Sequence, residues 1–533
     1  MPAHTEPETV PPATRAAALA GGEEPSFGSI LHPRPPSRAP GASPPECFRD
    51  LHLDQVVQAA LARFGEYDLA PFFLTGPQEP ETIAWRHEIF RDLENERLRR
   101  ALLSFAEAMR TLRRQLAAAG KAAYPLEKDR WFLDAAAGFA QAVGQLRHEL
   151  DALELTARGW RGFRAHLASY ADSAPFRALA AESQELQQAL LAIPCRIHLK
   201  DGTVTVCPEE DDADYPTVIA TTFARFRQDA VQDYRVKLHP LPGMNHIDAQ
   251  IVERVAQLHP EVFARFTGFA TRHAGFAPPE LVAFDREVQF YLCWLDFLAG
   301  LRGAGLEFCL PEISTTDRTV SGHDAFDLAL AAKLVRLNRP VVCNDFAWRP
   351  PECIAVVTGP NQGGKTTFAR MIGQIHYLAA LGLPVPGRRV RLFLCDRIFT
   401  HFEREEIDTT LRGKLQDDLV RAKEILEAVT PRSLVVINEI FASTTLEDAL
   451  WLSRRIMERL LRGQVSAVWV TFIEELSRHD EHTVSYVAGV APDNPTERTF
   501  RIERRPADGF SHALALAAKY GLTQAQLEAR FIR

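Results

Sequence analysis

Between about residues 46 and 310 the apolar positions recur with a helical period. Leu98, Leu102, Phe105, Met109, Leu112 and Leu116 follow one another at alternating spacings of four and three. Phe132, Ala136, Phe139, Val143, Leu146, Leu150 and Leu153 do the same. Sustained stripes of this kind predict long helices packed at shallow angles, as in bundles and coiled coils. One stretch breaks the period. Arg196–Val206 alternates apolar and polar residues around Asp201-Gly202, a two-residue hairpin signal, and the acidic run Glu209–Asp212 follows as a solvated loop. Beyond residue 340 short apolar strands alternate with amphipathic helices, the pattern of a mainly parallel α/β sheet. One of those helices carries Leu411, Leu415, Leu419, Ala422, Leu426 and Val429 on a single face.

Residues 1–45 have neither period. They hold eleven prolines and many small residues, a composition that cannot bury enough apolar surface to offset ordering entropy. They read as a disordered tail, and the short apolar insert Ser26–Leu31 reads as passive rather than docked.

Bulk composition narrows the class. The 533 residues suit two or three domains; 46% are apolar and 24% charged, values ordinary for a chain with a sizeable core. No apolar run reaches the length of a membrane helix and the N-terminus lacks a secretory layout, so no membrane partner is expected. The eight cysteines are scattered without a CxxC pair, which suggests neither a disulfide framework nor zinc and makes a reducing cytoplasm the expected compartment. The net charge of −8 means that any binding to nucleic acid must come from local patches or from geometry.

The sharpest chemical signal is Gly359-Pro-Asn-Gln-Gly-Gly-Lys-Thr366, which fits GxxxxGK[ST] after the apolar strand Ile354–Thr358 and before a helix running from Lys365 to about Ala380. Gly359, Pro360, Asn361, Gln362, Gly363 and Gly364 supply a loop whose backbone N–H groups curl around phosphates. Lys365 reaches the β/γ-phosphates, Thr366 ligates Mg²⁺, and Thr367 completes the set. A second apolar strand, Ser433–Asn438, ends in Asn438-Glu439. P-loop ATPases usually place Asp and Glu there, the Asp for the Mg²⁺ shell and the Glu for the attacking water. Asn438 can still hydrogen-bond a metal-bound water without the charge. Glu439 and Lys365 are the expected catalytic pair, with ATP and Mg²⁺ as cofactors. The order of P-loop, amphipathic helix, acid-bearing strand, helix and further strand is that of an ABC-type ATPase core.

These residues resemble one branch of that class, the MutS family. TGPNQGGKTT is similar to the family's TGPNMGGKST. Asn344-Asp345 resembles its ND box, Asp396–Thr400 its DRIFTR segment and Ala428–Leu434 the lead-in to its catalytic strand. Asn438–Thr445 stands where the family has DEIGRGTS, and Ser511–Leu514 with Ala518–Leu522 resemble its closing dimer-side elements. A weaker likeness runs over about 80–310, at Glu81–Phe90 and at Phe284–Tyr291, the latter as a long helix returning to the ATPase. The resemblance implies an α + α/β protein: a tail over 1–45, a helical core and lever over 46–310 with a hairpin near 195–207, and a P-loop ATPase domain over 311–533 with C-terminal dimerisation elements. It implies a homodimer that sandwiches ATP between one subunit's P-loop and the other's signature loop, here Gly413-Lys414.

Departures from the family pattern are equally specific. There is no room for the mismatch-reading and connector domains before the helical region. Phe64-Gly65-Glu66 matches the Phe-x-Glu wedge in letters, but Phe64 reads as packing. The signature Ser-Thr aligns with Gly413-Lys414, the family's Asp with Asn438, and its His after the last core strand with Phe472. Two functional readings follow. The first is a MutS-like, DNA-binding dimeric ATPase with slow turnover and a role related to mismatch repair or DNA structure; its arms would touch DNA through Arg97, Arg99, Arg100, Arg110, Arg113 and Arg114. The second is a nucleotide-gated scaffold with vestigial hydrolysis and unidentified protein partners. A small-molecule kinase fits the long helical front half poorly.

Overall fold

The protein was analysed as a computed structural model, which describes residues 27–34, 43–208, 221–222, 243–403, 413–491, 494–507, 522–524 and 527. The acidic run 209–212, Leu411, the segments 511–514 and 518–521, and most of residues 1–45 lie outside them.

The front half is helical. After α1 (Cys47–Asp50) and α2 (Leu53–Leu61) come α3 (Pro80–Asp92), α4 (Glu96–Lys121), α5 (Pro125–Asp151), α6 (Arg158–Ala171) and α7 (Ala174–Leu191). Helices α4 and α5, of 26 and 27 residues, form an antiparallel pair on the order of 40 Å long. Their facing stripes carry Leu98, Leu102, Phe105, Met109 and Leu112 against Phe139, Val143, Leu146 and Leu150, all buried. The stripe stops one position early, because Leu116 is exposed. Asn95 caps α4 by accepting from the Arg97 N–H. Strands β1 (Cys195–Lys200) and β2 (Thr203–Pro208) form the expected hairpin, with Lys200 opposite Thr203. Its turn residues Asp201 and Gly202 have φ of 52° and 76°, the left-handed pair that matches strand twist in a two-residue turn. Helices α8 (His246–Leu258) and α9 (Pro260–Arg272) lead to α10 (Pro279–Gly303).

From α10 the chain enters a mixed α/β region. The short strands β3 (Glu312–Ser314) and β4 (Val320–Ala325) precede α11 (Leu328–Arg336), β5 (Asn344–Trp348), β6 (Ile354–Thr358), α12 (Lys365–Ala380), β7 (Arg389–Phe393) and β8 (Ile398–His401). Then come α13 (Lys414–Ala428), β9 (Leu434–Asn438), α14 (Leu446–Arg462), β10 (Ser466–Val470), β11 (Thr483–Ala491) and β12 (Asn494–Arg504). The main sheet has the order β8-β9-β10-β6-β11-β12; its first five strands run parallel and β12 returns antiparallel to β11. The central strands β6, β9 and β10 are buried along their whole length, as expected for parallel strands covered on both faces. A smaller sheet has the order β3-β7-β4-β5. The protein is thus an α plus α/β chain.

The two halves share one continuous apolar core. Trp294 of α10 donates to the Pro384 carbonyl at 3.1 Å, which brings α10 back onto the α/β half. Tyr377 of α12 donates to the Phe73 carbonyl at 2.8 Å, and Gln374 donates to the Leu51 carbonyl at 2.9 Å.

Two expectations are corrected. The Phe27–Leu31 insert is docked, not passive. Ile30 and Leu31 are fully buried, and Phe27 packs against Phe163 at a centroid distance of 5.1 Å. The Ile30 carbonyl accepts from Trp85 Nε1 and from the Tyr291 hydroxyl, both at 2.9 Å, while its N–H donates to Glu287 at 2.9 Å. Buried Arg86 donates through Nε to the Leu31 carbonyl and through Nη1 to the Leu381 carbonyl. The segment supplies backbone acceptors that this buried guanidinium requires. The second correction is the face of α13: Leu419 is exposed and Asp418 is buried with Ala422.

Candidate functional site

The loop after β6 is built by short-range constraints. Gly359 has φ of 111°, and a Cβ placed there would lie 2.9 Å from the Ala488 backbone nitrogen on β11. Only glycine satisfies both the left-handed backbone and that close approach. The Gly363 N–H donates to the Pro360 carbonyl at 3.2 Å, Gln362 takes φ of 61°, and Gly364 caps α12 at φ of 95°. These turns aim the loop and the α12 N-terminus at one point, where unpaired helix N–H groups favour an anion.

Lys365 opens α12 with its side chain 4% exposed. Its ammonium donates to the carbonyls of Gly359 (3.0 Å) and Pro360 (3.3 Å) and to Asn361 Oδ1 (3.2 Å), and lies 3.6 Å from Glu439 Oε1. Burial pushes its pKa below the ordinary lysine value, while the Glu439 carboxylate opposes that shift. Strand β9 lies across β10 from β6 in the sheet, and it delivers Asn438 to Thr366: the hydroxyl donates to Asn438 Oδ1 at 2.7 Å. Glu439 follows in the left-handed region at φ of 51°, its N–H held by the Val470 carbonyl at 2.9 Å, and Phe441 is left-handed as well. Non-glycine residues in that region store strain of the kind found at functional sites.

A cleft of about 610 Å³ opens here. Asn361, Gln362, Gly364, Lys365, Thr366, Thr367 and Glu439 line it together with Leu330, Leu334, Val341, Met371 and Phe500, and Asp327, Arg339 and Asn344 add further polar groups. A cleft of mixed polar and apolar lining suits a ligand of the same make-up. Asn344 holds the wall in shape, donating to the Phe500 carbonyl at 3.2 Å and accepting from the Ile502 N–H at 2.7 Å. The roles of Asn344 as a brace and of Phe500 as a wall were missed in sequence, because both depend on the β12 return strand crossing to the loop. Thr366 and Asn438 offer a hydroxyl and an amide oxygen with Glu439 close by. Such a neutral pair fits a hard divalent cation only when phosphate oxygens complete its shell. Among the described residues no group of three or more His, Cys, Asp or Glu stands together as a metal set.

The remaining candidate residues lie elsewhere. Gly413 and Lys414 begin α13 outside the cleft's lining, with Lys414 ion-paired to Glu403. Phe472 is 46% exposed and also stands outside the cleft. Phe64 packs against the core, and Glu66 beside it binds Arg110 at 2.5 Å and Arg113 at 3.5 Å. Arg110 also pairs with Glu107, and Arg113 with Asp285. Arg99 donates to the Leu93 and Glu94 carbonyls. Arg100 pairs with Glu96 at 4.0 Å, so four of the six suggested DNA-contacting arginines are engaged within the chain. No helix among the described residues is long and apolar enough to cross a membrane.

The family model of MutS domain V matches residues 355–523. The chain is 32% identical over 203 residues to the DNA mismatch repair protein MutS of Azorhizobium caulinodans, covering 36% of this chain and 21% of that protein. It is 28% identical over 257 residues to that of Microcystis aeruginosa (47% and 28%) and 26% identical over 271 residues to that of Synechococcus elongatus (48% and 30%). The matched stretch spans less than a third of those relatives' own length.

Proposed function

We propose that this chain, whose residues 355–523 match the model of MutS domain V, is a MutS-family protein: a homodimeric, Mg²⁺-dependent ATPase whose nucleotide state moves its helical half on DNA. Residues 311–533 are the ATPase domain in this reading and residues 46–310 the lever. The observation that carries it is the convergence of Lys365, Thr366 and Glu439 on one cleft beside the Gly359–Gly364 loop, with Asn438 bonded behind Thr366.

In the mechanism, the ammonium of Lys365 exchanges its carbonyl partners for phosphate oxygens and stabilises the charge of the transferring group. Thr366 would hold Mg²⁺ directly and Asn438 through water; the ion neutralises phosphate charge when bound. Glu439, released from Lys365 by the incoming phosphates, orients the attacking water and accepts its proton. An amide at position 438 leaves the metal shell one charge short, which supports slow turnover. In this reading Gly413 and Lys414, which lie outside their own subunit's cleft, act on the partner's nucleotide.

A second reading is supported by the same amide and by the internal pairing of Arg99, Arg110 and Arg113: a scaffold gated by ATP binding, with no mismatch reading and no obligatory DNA. The two separate in one experiment, ATP turnover with and without single-stranded, duplex, mismatched and branched DNA, beside Glu439→Ala. DNA-stimulated turnover lost in Glu439→Ala supports the DNA-coupled ATPase. Tight ATP binding with no DNA response sinks it in favour of the scaffold. DNA binding that does not weaken as salt rises also counts against phosphate contacts.

A further inference from the structure

The return hairpin of β11 and β12 lies along the outer side of the phosphate loop. Ala488 of β11 packs under Gly359 and Gly363, and Phe500 of β12 stands against Gly364. Asn344 grips the backbone on both sides of Arg501. Two residues before Phe500, Arg498 reaches the loop, and its Nε donates to the Asn361 carbonyl at 3.2 Å. Asn361 is thereby held by two cations. Its side-chain oxygen accepts from Lys365 Nζ and its main-chain oxygen from Arg498.

Arg498 stands outside the lining of the cleft and reaches the loop from the hairpin side, at the Asn361 carbonyl. Lys365 Nζ touches both Asn361 and Glu439, at 3.2 and 3.6 Å. In the proposed ATPase Glu439 acts at the terminal phosphate, so Asn361 marks that same end. Both cations hydrogen-bond amide carbonyls of the loop, and Lys365 also faces the Glu439 carboxylate; an anionic oxygen is a stronger partner than such carbonyls.

We propose that Arg498 is a second, cis-acting phosphate ligand that selects nucleoside triphosphate over diphosphate. On binding, its guanidinium leaves or shares the Asn361 carbonyl and bonds the terminal phosphate, opposite Lys365. The planar fork of an arginine suits a phosphate face better than a lysine does. Lys365 and Arg498 both hydrogen-bond Asn361, so a third negative group on the ligand would meet both cations. Discrimination by charge at the terminal position follows.

This inference rests on the nucleotide-binding reading, and the test separates the two. Equilibrium affinities for Mg²⁺ with adenylyl-imidodiphosphate and with ADP are measured on the full chain, for the wild type, Arg498→Ala and Arg498→Lys. The expected result is a loss of tenfold or more for the triphosphate analogue in Arg498→Ala, with ADP changed less than threefold and partial recovery in Arg498→Lys. Unchanged triphosphate affinity in Arg498→Ala overturns the proposal, as does an equal loss for both nucleotides, which would mark a purely structural hairpin contact. If the wild type binds neither nucleotide while remaining folded, the nucleotide-binding reading falls and the proposal with it.

Discussion

The docked segment Phe27–Leu31 permits the most direct test of the fold. The perturbation is Ile30→Ala. Ile30 is fully buried, and the substitution leaves its backbone, hence the hydrogen bonds from Trp85 and Tyr291 and to Glu287, chemically intact. What is lost is side-chain burial and the space it filled. Three carbons at about 0.8 kcal/mol each give about 2.4 kcal/mol of transfer free energy, and the residual cavity brings the range to about 2–5 kcal/mol. The segment is short, so local release can precede global unfolding. The lower figure, about 2 kcal/mol, corresponds to a roughly thirtyfold change in the opening equilibrium.

Hydrogen exchange resolved by peptide is the suitable assay, because seven tryptophans make bulk fluorescence an average. Ile30→Ala is expected to speed exchange at least tenfold in peptides covering residues 27–34. A smaller rise is expected in 80–92, where Trp85 and Arg86 lose ordered acceptors. Tyr291→Phe, which removes one hydrogen bond worth about 1 kcal/mol, should give roughly a fivefold effect in the same peptides. The reasoning fails if residues 27–34 exchange in the wild type at the rate of an unstructured chain, or if Ile30→Ala leaves them as protected as before.

Three further outcomes are expected. Burial raises the Asp285 pKa to about 6 even though Arg113 pairs with it; the folded state then binds the proton more tightly than the unfolded chain. Its stability contribution is present at low pH and is lost as pH rises from about 4 to about 6, by roughly 2–3 kcal/mol, and urea unfolding of Asp285→Asn should show a flatter pH profile over that window. Asn438→Asp restores a carboxylate to the partner of Thr366 and should raise ATP turnover several-fold; no gain would place the limit at Gly413-Lys414 or Phe472 instead. Gly359→Ala forces a Cβ against Ala488 at a left-handed φ and should cost more than tenfold in ATP affinity, with near-normal affinity refuting the steric account.

The legibility of the chain follows the range of the interactions. The GxxxxGK[ST] loop is encoded within twenty residues, and its strand, turn and helix appear as read, with α12 running from Lys365 to Ala380. The Asp201-Gly202 hairpin is equally local. What sequence reading missed is long-range. Residues 1–45 have the composition of a tail, yet Ile30 meets partners 55 to 261 positions away. No local pattern announces that buried Arg86 and Glu287 need exactly those backbone groups. The leucine spacing of α13 drew attention away from Asp418, which is buried 3.4 Å from His401 at the end of β8. Arg110 and Arg113 of α4 looked like part of an anion-binding face because Glu66 and Asp285, which pair with them, are far away in sequence.

Those pairings also locate where a nucleotide signal would leave the cleft. Helix α12 begins at Lys365 and Thr366 and runs for 16 residues, about 24 Å. Near its far end the front half grips it. Gln374 donates to the Leu51 carbonyl and accepts from the Leu328 N–H, Tyr377 bonds the Phe73 carbonyl, and Arg86 bonds the Leu381 carbonyl just beyond. Arg370 is ion-paired to buried Asp327 at 2.6 Å, which ties the middle of the helix to the N-terminus of α11. A rigid rod held so closely cannot bend to absorb a shift at the phosphate loop, so a shift must be passed on as rotation or translation of the helices around Leu51 and Phe73. The Phe27–Leu31 segment lies on that route, since Arg86 spans from Leu31 to Leu381. Releasing the segment would remove the Leu31 carbonyl and His32 contacts of Arg86, leaving the Leu381 carbonyl, and loosen the joint between the two halves. Loss of DNA response with retained nucleotide binding in Ile30→Ala would place the segment in the coupling path, whereas unchanged response would restrict it to stability.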